Sequence, residues 1–245
     1  MSEQAWLWFY VACMAAGALL FFTWSRRPSG VPQFEYTIAM AIPIWSGLAY
    51  TAIALGQGTV LVDGREVHFA RYLDWVVTTP LLLVALASTA MFYREIDKTL
   101  VGGLIFTDVI MILTGLIADL TGDETAKWFW YLTGCVCLAI ILWIVSGPLR
   151  RIANDQGRGL GKVYVQVAAM LSVLWFCYPA IWALGPSGAG VYGKGVETAL
   201  FVLVPILSKV GFSIVDLAKL RRLGAREPSH SVVDHIHGTA YPLRG

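Results

Sequence analysis

The chain has 245 residues, of which 57% are hydrophobic and only 14% charged, with a formal net charge of +2. Soluble domains sit nearer ~45–50% apolar and ~25% charged, so this composition, with a mean hydropathy of +0.66, excludes an ordinary soluble domain. The small net charge gives no sign of nucleic-acid binding.

Seven apolar segments follow one another, each near the ~20 residues a membrane-spanning helix needs. They run approximately over Ala5–Trp24, Tyr36–Leu55, Tyr72–Tyr93, Val101–Leu120, Lys127–Leu149, Val163–Leu184 and Val196–Leu217. Short polar connectors rich in Gly or Pro, such as "SRRPSGVPQ" and "TGDETA", separate them, so neighbouring helices should run antiparallel in one bundle. The expected fold is an all-α membrane protein, a seven-transmembrane-helix bundle. Residues 1–222 form its single domain and 223–245 a C-terminal tail.

The start, "MSEQAWLWFY", lacks the basic n-region of a signal peptide. Between the second and third segments "TVLVDGREVHF", Thr59–Phe69, alternates apolar and polar residues around Asp63-Gly64. Asp-Gly between such runs predicts a small two-stranded hairpin. In the third segment Arg71 and Asp74 are three apart and share a helix face. Thr78, one turn beyond Asp74, is placed to hydrogen-bond it. The fourth segment holds Asp108. Asp119 and Glu197 sit nearer the hairpin-side mouth.

Cys13, Cys135, Cys137 and Cys177 all fall inside predicted spans and read as small, polarizable core residues. Cys135 and Cys137, two apart, point to different faces, which speaks against a disulfide or metal pair. His230, His235 and His237 fall in the tail, and no metal site is expected. In the sixth segment Trp175, Tyr178 and Trp182 recur at helical spacing on one face.

The seventh segment holds Lys209 near its centre. A charged lysine at that depth costs at least ~2.5 kcal/mol on insertion scales, so it needs a partner or a function. Asp74 matches it in depth. A desolvated lysine can form a Schiff base with an aldehyde, the iminium would need a counterion, and Trp75, Trp175, Tyr178 and Trp182 could enclose a flat polyene. Asp216 lies two turns further, on the same face and ~10 Å along the axis. The competing view makes it a solvated helix-end carboxylate beside Lys219 and Arg221.

Basic residues fix the expected orientation. Arg26, Arg27, Arg94, Lys98, Arg150, Arg151, Arg158, Lys162, Lys219, Arg221, Arg222, Arg226 and Arg244 fall on one side of a seven-helix arrangement, which should be cytoplasmic. The N-terminus and the hairpin are then extracellular, the C-terminus cytoplasmic, and the protein multi-pass in the cell membrane.

"ARYLDWVVTTPLLL", Ala70–Leu83, resembles the third-helix motif of microbial (type 1) rhodopsins, and "LWFCYPAIW", Leu174–Trp182, resembles their sixth helix. The seventh-helix lysine completes the set at Lys209. The resemblance implies retinal on Lys209 with Asp74 as counterion. It also implies a pocket of Trp75, Thr79, Met111, Gly115, Trp175, Tyr178 and Trp182. Asp108 matches a fourth-helix aspartate beside Thr79, and Tyr50 a second-helix tyrosine near the counterion. The family is not one of enzymes; its partners are protons and the lipid bilayer, and it admits a homotrimer.

Departures from the outward-pumping pattern bear on the use of light. Such pumps carry a carboxylate eleven residues after the counterion, where this chain has Ala85, and a second aspartate one turn before the lysine, where it has Pro205. Pro205, Lys209 and Asp216 together resemble the branch that holds xenorhodopsins and the cyanobacterial sensory rhodopsin. That implies an inward proton pump, with signalling to a soluble cytoplasmic transducer as the alternative and an outward pump third.

Overall fold

The computed structural model describes residues 2–225. The expected tail therefore lies outside the described residues from 226 onward, with His230, His235 and His237. Among the described residues seven helices are long and apolar enough to cross a membrane: α1 (Glu3–Ser25), α2 (Gln33–Ala54), α3 (Phe69–Ala90), α4 (Lys98–Leu120), α5 (Glu124–Asp155), α6 (Arg158–Leu184) and α7 (Lys194–Gly224). Side chains start several of them. Ser2 caps α1 by accepting from the Ala5 amide, Asp97 caps α4 through the Thr99 and Leu100 amides, and Asp123 caps α5 through Ala126.

The hairpin is present and shorter than expected. Strands β1 (Val60–Val62) and β2 (Arg65–Val67) pair antiparallel, with Val60 opposite Val67 and Val62 opposite Arg65. Asp63 and Gly64 both take positive φ, at 49° and 77°, as a tight two-residue hairpin turn requires. Phe69 does not belong to the hairpin; it opens α3. Two other boundaries differ from expectation. The connector residues "RRIAND" are helical and carry α5 to Asp155; Arg150, Arg151 and Ala153 are good helix formers and extend the helix beyond its apolar stretch. Helix α3 ends at Ala90, short of Tyr93.

Five helices contain an interior proline, which removes a backbone donor and crowds the preceding turn. In α5 and α7 the helix widens locally into single π-turns, over Val145–Leu149 and Leu207–Gly211. Pro148 lies within the first and Pro205 just before the second. The second π-turn contains Lys209, so the critical lysine sits on a locally widened backbone.

Helix α3 is the central strut. Of its most apolar window 61% is buried, against 28% for α1 and for α4. The residues most costly to leave in lipid, Arg71, Asp74 and Thr78, lie on this helix and are themselves buried. Helix α1 reaches α7 closely at Gly17, where a Cβ would stand 2.7 Å from one Val210 methyl carbon and 2.9 Å from the other. Val210 is the neighbour of Lys209, and a β-branched side chain cannot swing aside freely.

Gly17→Ala should therefore cost about 1–3 kcal/mol through overpacking, read as a lower temperature for loss of the folded protein in detergent. Gly102→Ala is the control: a Cβ there meets nothing within 4 Å, so it should be neutral or slightly stabilising. Equal behaviour of the two variants would show that the close approach is unimportant.

Candidate functional site

Lys209 is 1% exposed and Asp74 fully buried. The Lys209 ammonium donates to Asp74 Oδ2 in a close ion pair. It also donates to Ser46 Oγ at 2.8 Å and Tyr10 OH at 3.4 Å. Ser46 donates in turn to Asp74 Oδ2 at 3.0 Å and shares a hydrogen bond with Tyr10. Thr78 Oγ1 lies 3.3 Å from Asp74 Oδ1, the contact its spacing predicts, and bonds the Asp74 carbonyl at 2.9 Å. A charge pair taken out of water survives only if its remaining lone pairs and protons are satisfied. Here α1, α2 and α3 supply those partners.

Ser46 and Tyr10 carried no signal in the sequence beyond being polar groups in apolar spans. Arg71 does not join the cluster. It is buried, forms no ion pair among the described residues, and lies over the Phe201 ring at 4.9 Å. Tyr50 lies within reach of the Asp74 charge; its hydroxyl donates to the Phe201 carbonyl at 2.7 Å and its ring stacks on Tyr10.

Beside this pair lies an apolar cavity of about 110 Å³, concave and lined mainly by hydrophobic and aromatic side chains as small-molecule sites are. All seven residues expected of the pocket line it: Trp75, Thr79, Met111, Gly115, Trp175, Tyr178 and Trp182. Tyr178 bonds Ser208 at 2.9 Å, so the wall is tied to the residue preceding the lysine. Three other residues that the resemblance ties to the site do not line it. Pro205 is buried in α7, Tyr50 has the partners just given, and Asp108 stands behind the wall, accepting from Thr79 Oγ1 at 2.7 Å. The cavity has a further wall from α5: Tyr131, Gly134, Cys135 and Leu138. These recur at i, i+3, i+4 and i+7, a helical stripe legible in the sequence. Cys135 is thus a lining residue rather than simple core filling.

Beyond Lys209, toward the end of the bundle away from the hairpin, Asp216 is 2% exposed and accepts from Thr89 Oγ1 at 2.8 Å. It is not a solvated helix-end carboxylate: Lys219 bonds Gln166, and Arg221 bonds Tyr36 and the Trp24 and Arg27 carbonyls. Glu35, which nothing in the sequence singled out, is equally buried and accepts from Ser88, the neighbour of Thr89. The two carboxyls are near enough for their charges to interact. Ala85 joins the apolar cluster of Leu82, Leu83 and Leu86.

At the hairpin end Arg65 clamps three elements. It donates to Asp119 Oδ1 at 2.6 Å and to Ser187 Oγ at 2.7 Å, and Tyr72 bonds the same carboxylate at 3.2 Å. Glu197, buried, faces the charges of Arg71 and Asp119 there.

A seven-helix membrane bundle that buries an amine beside a carboxylate, close to an aromatic cavity, has the layout of a protein that holds an apolar chromophore covalently. Residues 1–223 match the bacteriorhodopsin-like protein family, and the chain belongs to that family, the microbial rhodopsins. Archaerhodopsin-3 of Halorubrum sodomense is 34% identical over 236 residues, spanning 93% of this chain and 90% of that one. The thermophilic rhodopsin of Rubrobacter xylanophilus superposes with a TM-score of 0.87 at 32% identity, covering 91% of this chain and 98% of the other. Cyanorhodopsin N2098R of Calothrix gives a TM-score of 0.83 at 28% identity over 94% and 100% of the chains. The family binds retinal through a Schiff base to a lysine and carries out light-driven ion transport. The residues present fit that group. The cavity is apolar and flanked by indole rings, and Nζ of Lys209 is the atom that would become the Schiff-base nitrogen.

The Thr79–Asp108 bond makes a direct prediction. Asp108 Oδ1 has no partner among the described residues, so Thr79→Val leaves the whole buried carboxyl unpaired, at about 1–3 kcal/mol. Thermal bleaching of the pigment should occur at a lower temperature, with Asp108→Asn in the Thr79→Val background recovering little. Unchanged bleaching would mean that another group satisfies Asp108.

Proposed function

We propose that this protein is a light-driven inward proton pump of the xenorhodopsin type, with retinal on Lys209, Asp74 as the counterion and Asp216 as the group that receives the proton. The observation that carries this is the burial of Asp216 on the side of Lys209 away from the hairpin, held by Thr89 and within electrostatic reach of Glu35. The basic end of the bundle is the cytoplasmic one on the positive-inside rule, so the hairpin faces outside and the tail inside.

Bound on Lys209, retinal would supply light absorption and photoisomerisation. The chain supplies the rest. Asp74, held by Ser46 and Thr78, keeps a negative charge beside the nitrogen. Ala85 and its leucine neighbours leave no carboxyl where outward pumps of the family carry theirs. Asp216 and Thr89 offer an acceptor toward the cytoplasm, and Glu35 with Ser88 extends that polar patch to α2. Lys209 and Asp216 share no hydrogen bond, so a water or a chain movement must bridge them. Arg71 and Glu197 line the route from outside.

Two pigment variants test the assignments of Lys209 and Asp74. Lys209→Ala reconstituted with all-trans retinal should form no covalent pigment. Asp74→Asn should move the visible band to the red, because the carboxylate stabilises the positive charge localised on the nitrogen in the dark. An unchanged spectrum would reassign the counterion.

Direction is tested on illuminated cells in weak buffer. The medium should turn alkaline, a protonophore should abolish the signal, and Asp216→Asn should suppress it. Acidification would establish an outward pump. A well-expressed pigment giving no pH change would point to photosensory signalling through a soluble transducer.

A further inference from the structure

At the hairpin end the side chain of His68 does no structural work that the surrounding contacts reveal. The residue stands just before α3 and is 7% exposed. Its backbone carbonyl accepts from the Arg71 amide, but its side chain caps nothing. Both ring nitrogens are buried without a hydrogen-bond partner among the described residues. Nε2 lies 3.5 Å from Glu3 Oε1, too poorly placed to bond, and Glu3 is one-third exposed. The imidazole lines a small polar cavity that also holds Arg71, Tyr72, Asp119 and Glu197. Two buried, unpaired nitrogens carry a desolvation cost that an apolar ring of similar size would avoid. What an imidazole offers instead is one proton-accepting and one proton-donating nitrogen in a single neutral ring.

We propose that His68 is the outer proton port of the transport path, passing protons between the water around Glu3 and the cavity beside Arg71 and Glu197. This rests on the proton-transport reading above. In the inward sense Nε2 takes a proton from the Glu3 side while Nδ1 gives one up to the cavity. The ring ends neutral in the other tautomer, and exchange of the N–H position through water resets it. No net charge accumulates.

The charges around the ring suit this use. Glu3 of α1, Glu66 of β2, Arg71 of α3 and Lys194 of α7 all act on it, and Asp119 of α4 shares its cavity. Burial first, and then the Arg71 guanidinium, push the imidazole down from its usual value to about 4. At neutral pH the ring is therefore uncharged and can relay rather than trap a proton. Protonation below about pH 4 would place a second cation beside Arg71.

The test uses the full-length pigment in lipid vesicles, with flash photolysis and a pH-indicator dye in the medium on the hairpin side. His68→Ala should keep the visible band yet slow proton exchange with that medium by at least about tenfold. Added free imidazole should restore the rate, while an equal concentration of a buffer too bulky to enter should not. Wild-type exchange in His68→Ala would overturn the proposal, as would slowing that imidazole fails to relieve. If His68→Ala does not yield pigment, His68→Phe fills the same volume without nitrogens: slowed exchange then supports the port, and normal exchange removes it. If the wild-type pigment itself moves no protons, it is the transport reading that fails. A wild type that transports beside an unaffected variant defeats only the role of His68.

Discussion

One desolvated charge pair organises the molecule. An ammonium and a carboxylate buried side by side attract strongly, but each lost several kcal/mol of hydration to get there, and the attraction repays that loss only with near-ideal geometry and satisfied neighbours. Lys209 and Asp74 meet both conditions. Ser46 and Tyr10 take up the remaining protons of the amine, and Ser46 and Thr78 the remaining oxygens of the acid. Each partner fixes the position of a helix. Ser46 fixes α2 against α3, Tyr10 draws α1 inward, and the closeness this demands is met at Gly17, where the α1 backbone meets Val210 without a side chain between. The aromatic cavity then lies beside the amine because Tyr178 is bonded to Ser208, one residue from it.

Polar groups away from this pair divide by position. At the hairpin end they are many, and Arg65, Asp119, Ser187 and Tyr72 pair in one network while His68 and Arg71 stand beside it. On the far side of Lys209 they are few and set in apolar surroundings: Asp216 with Thr89, and Glu35 with Ser88. This asymmetry separates a more polar end of the bundle from a more apolar one. A buried carboxyl at the more apolar end is costly unless bonded, which is why each has a hydroxyl partner from α3.

The sequence made the architecture legible because lipid imposes a coarse, length-based rule. Seven apolar runs, an Asp-Gly turn and the polar connectors gave helix count, order and the hairpin, with errors only at ends such as Arg150–Asp155, where a helix outruns the membrane. Lys209, Asp74 and the rings of α3 and α6 were legible because charge at mid-depth is rare and aromatic spacing is periodic. The α5 wall was equally periodic, yet Tyr131, Gly134, Cys135 and Leu138 look like ordinary apolar filling until a cavity lies beside them. Tyr10, Ser46, Glu35 and His68 could not be found in this way. Their significance lies in which distant residue they face, and that is fixed by packing between helices rather than by any pattern along one of them. Arg71 teaches the same lesson in reverse: spacing put it on the face of Asp74, but the ring of Phe201 took its guanidinium.

The lysine's partners also carry information about assembly. Its contacts with Tyr10, Ser46 and Asp74 span 199, 163 and 135 residues of chain, so the earliest and latest helices to leave the ribosome meet at a single atom. Domains generally form in order of synthesis, and membrane helices insert before they associate. Six helices can therefore be in the bilayer while Asp74 still lacks its cation. The nascent bundle must tolerate that acid, protonated or wetted, until translation delivers the seventh helix, and the chromophore can be captured only after that. Pigment yield in the cell is thus coupled to completion of the polypeptide: a chain stalled before α7 leaves an apolar slot with no amine to claim its ligand.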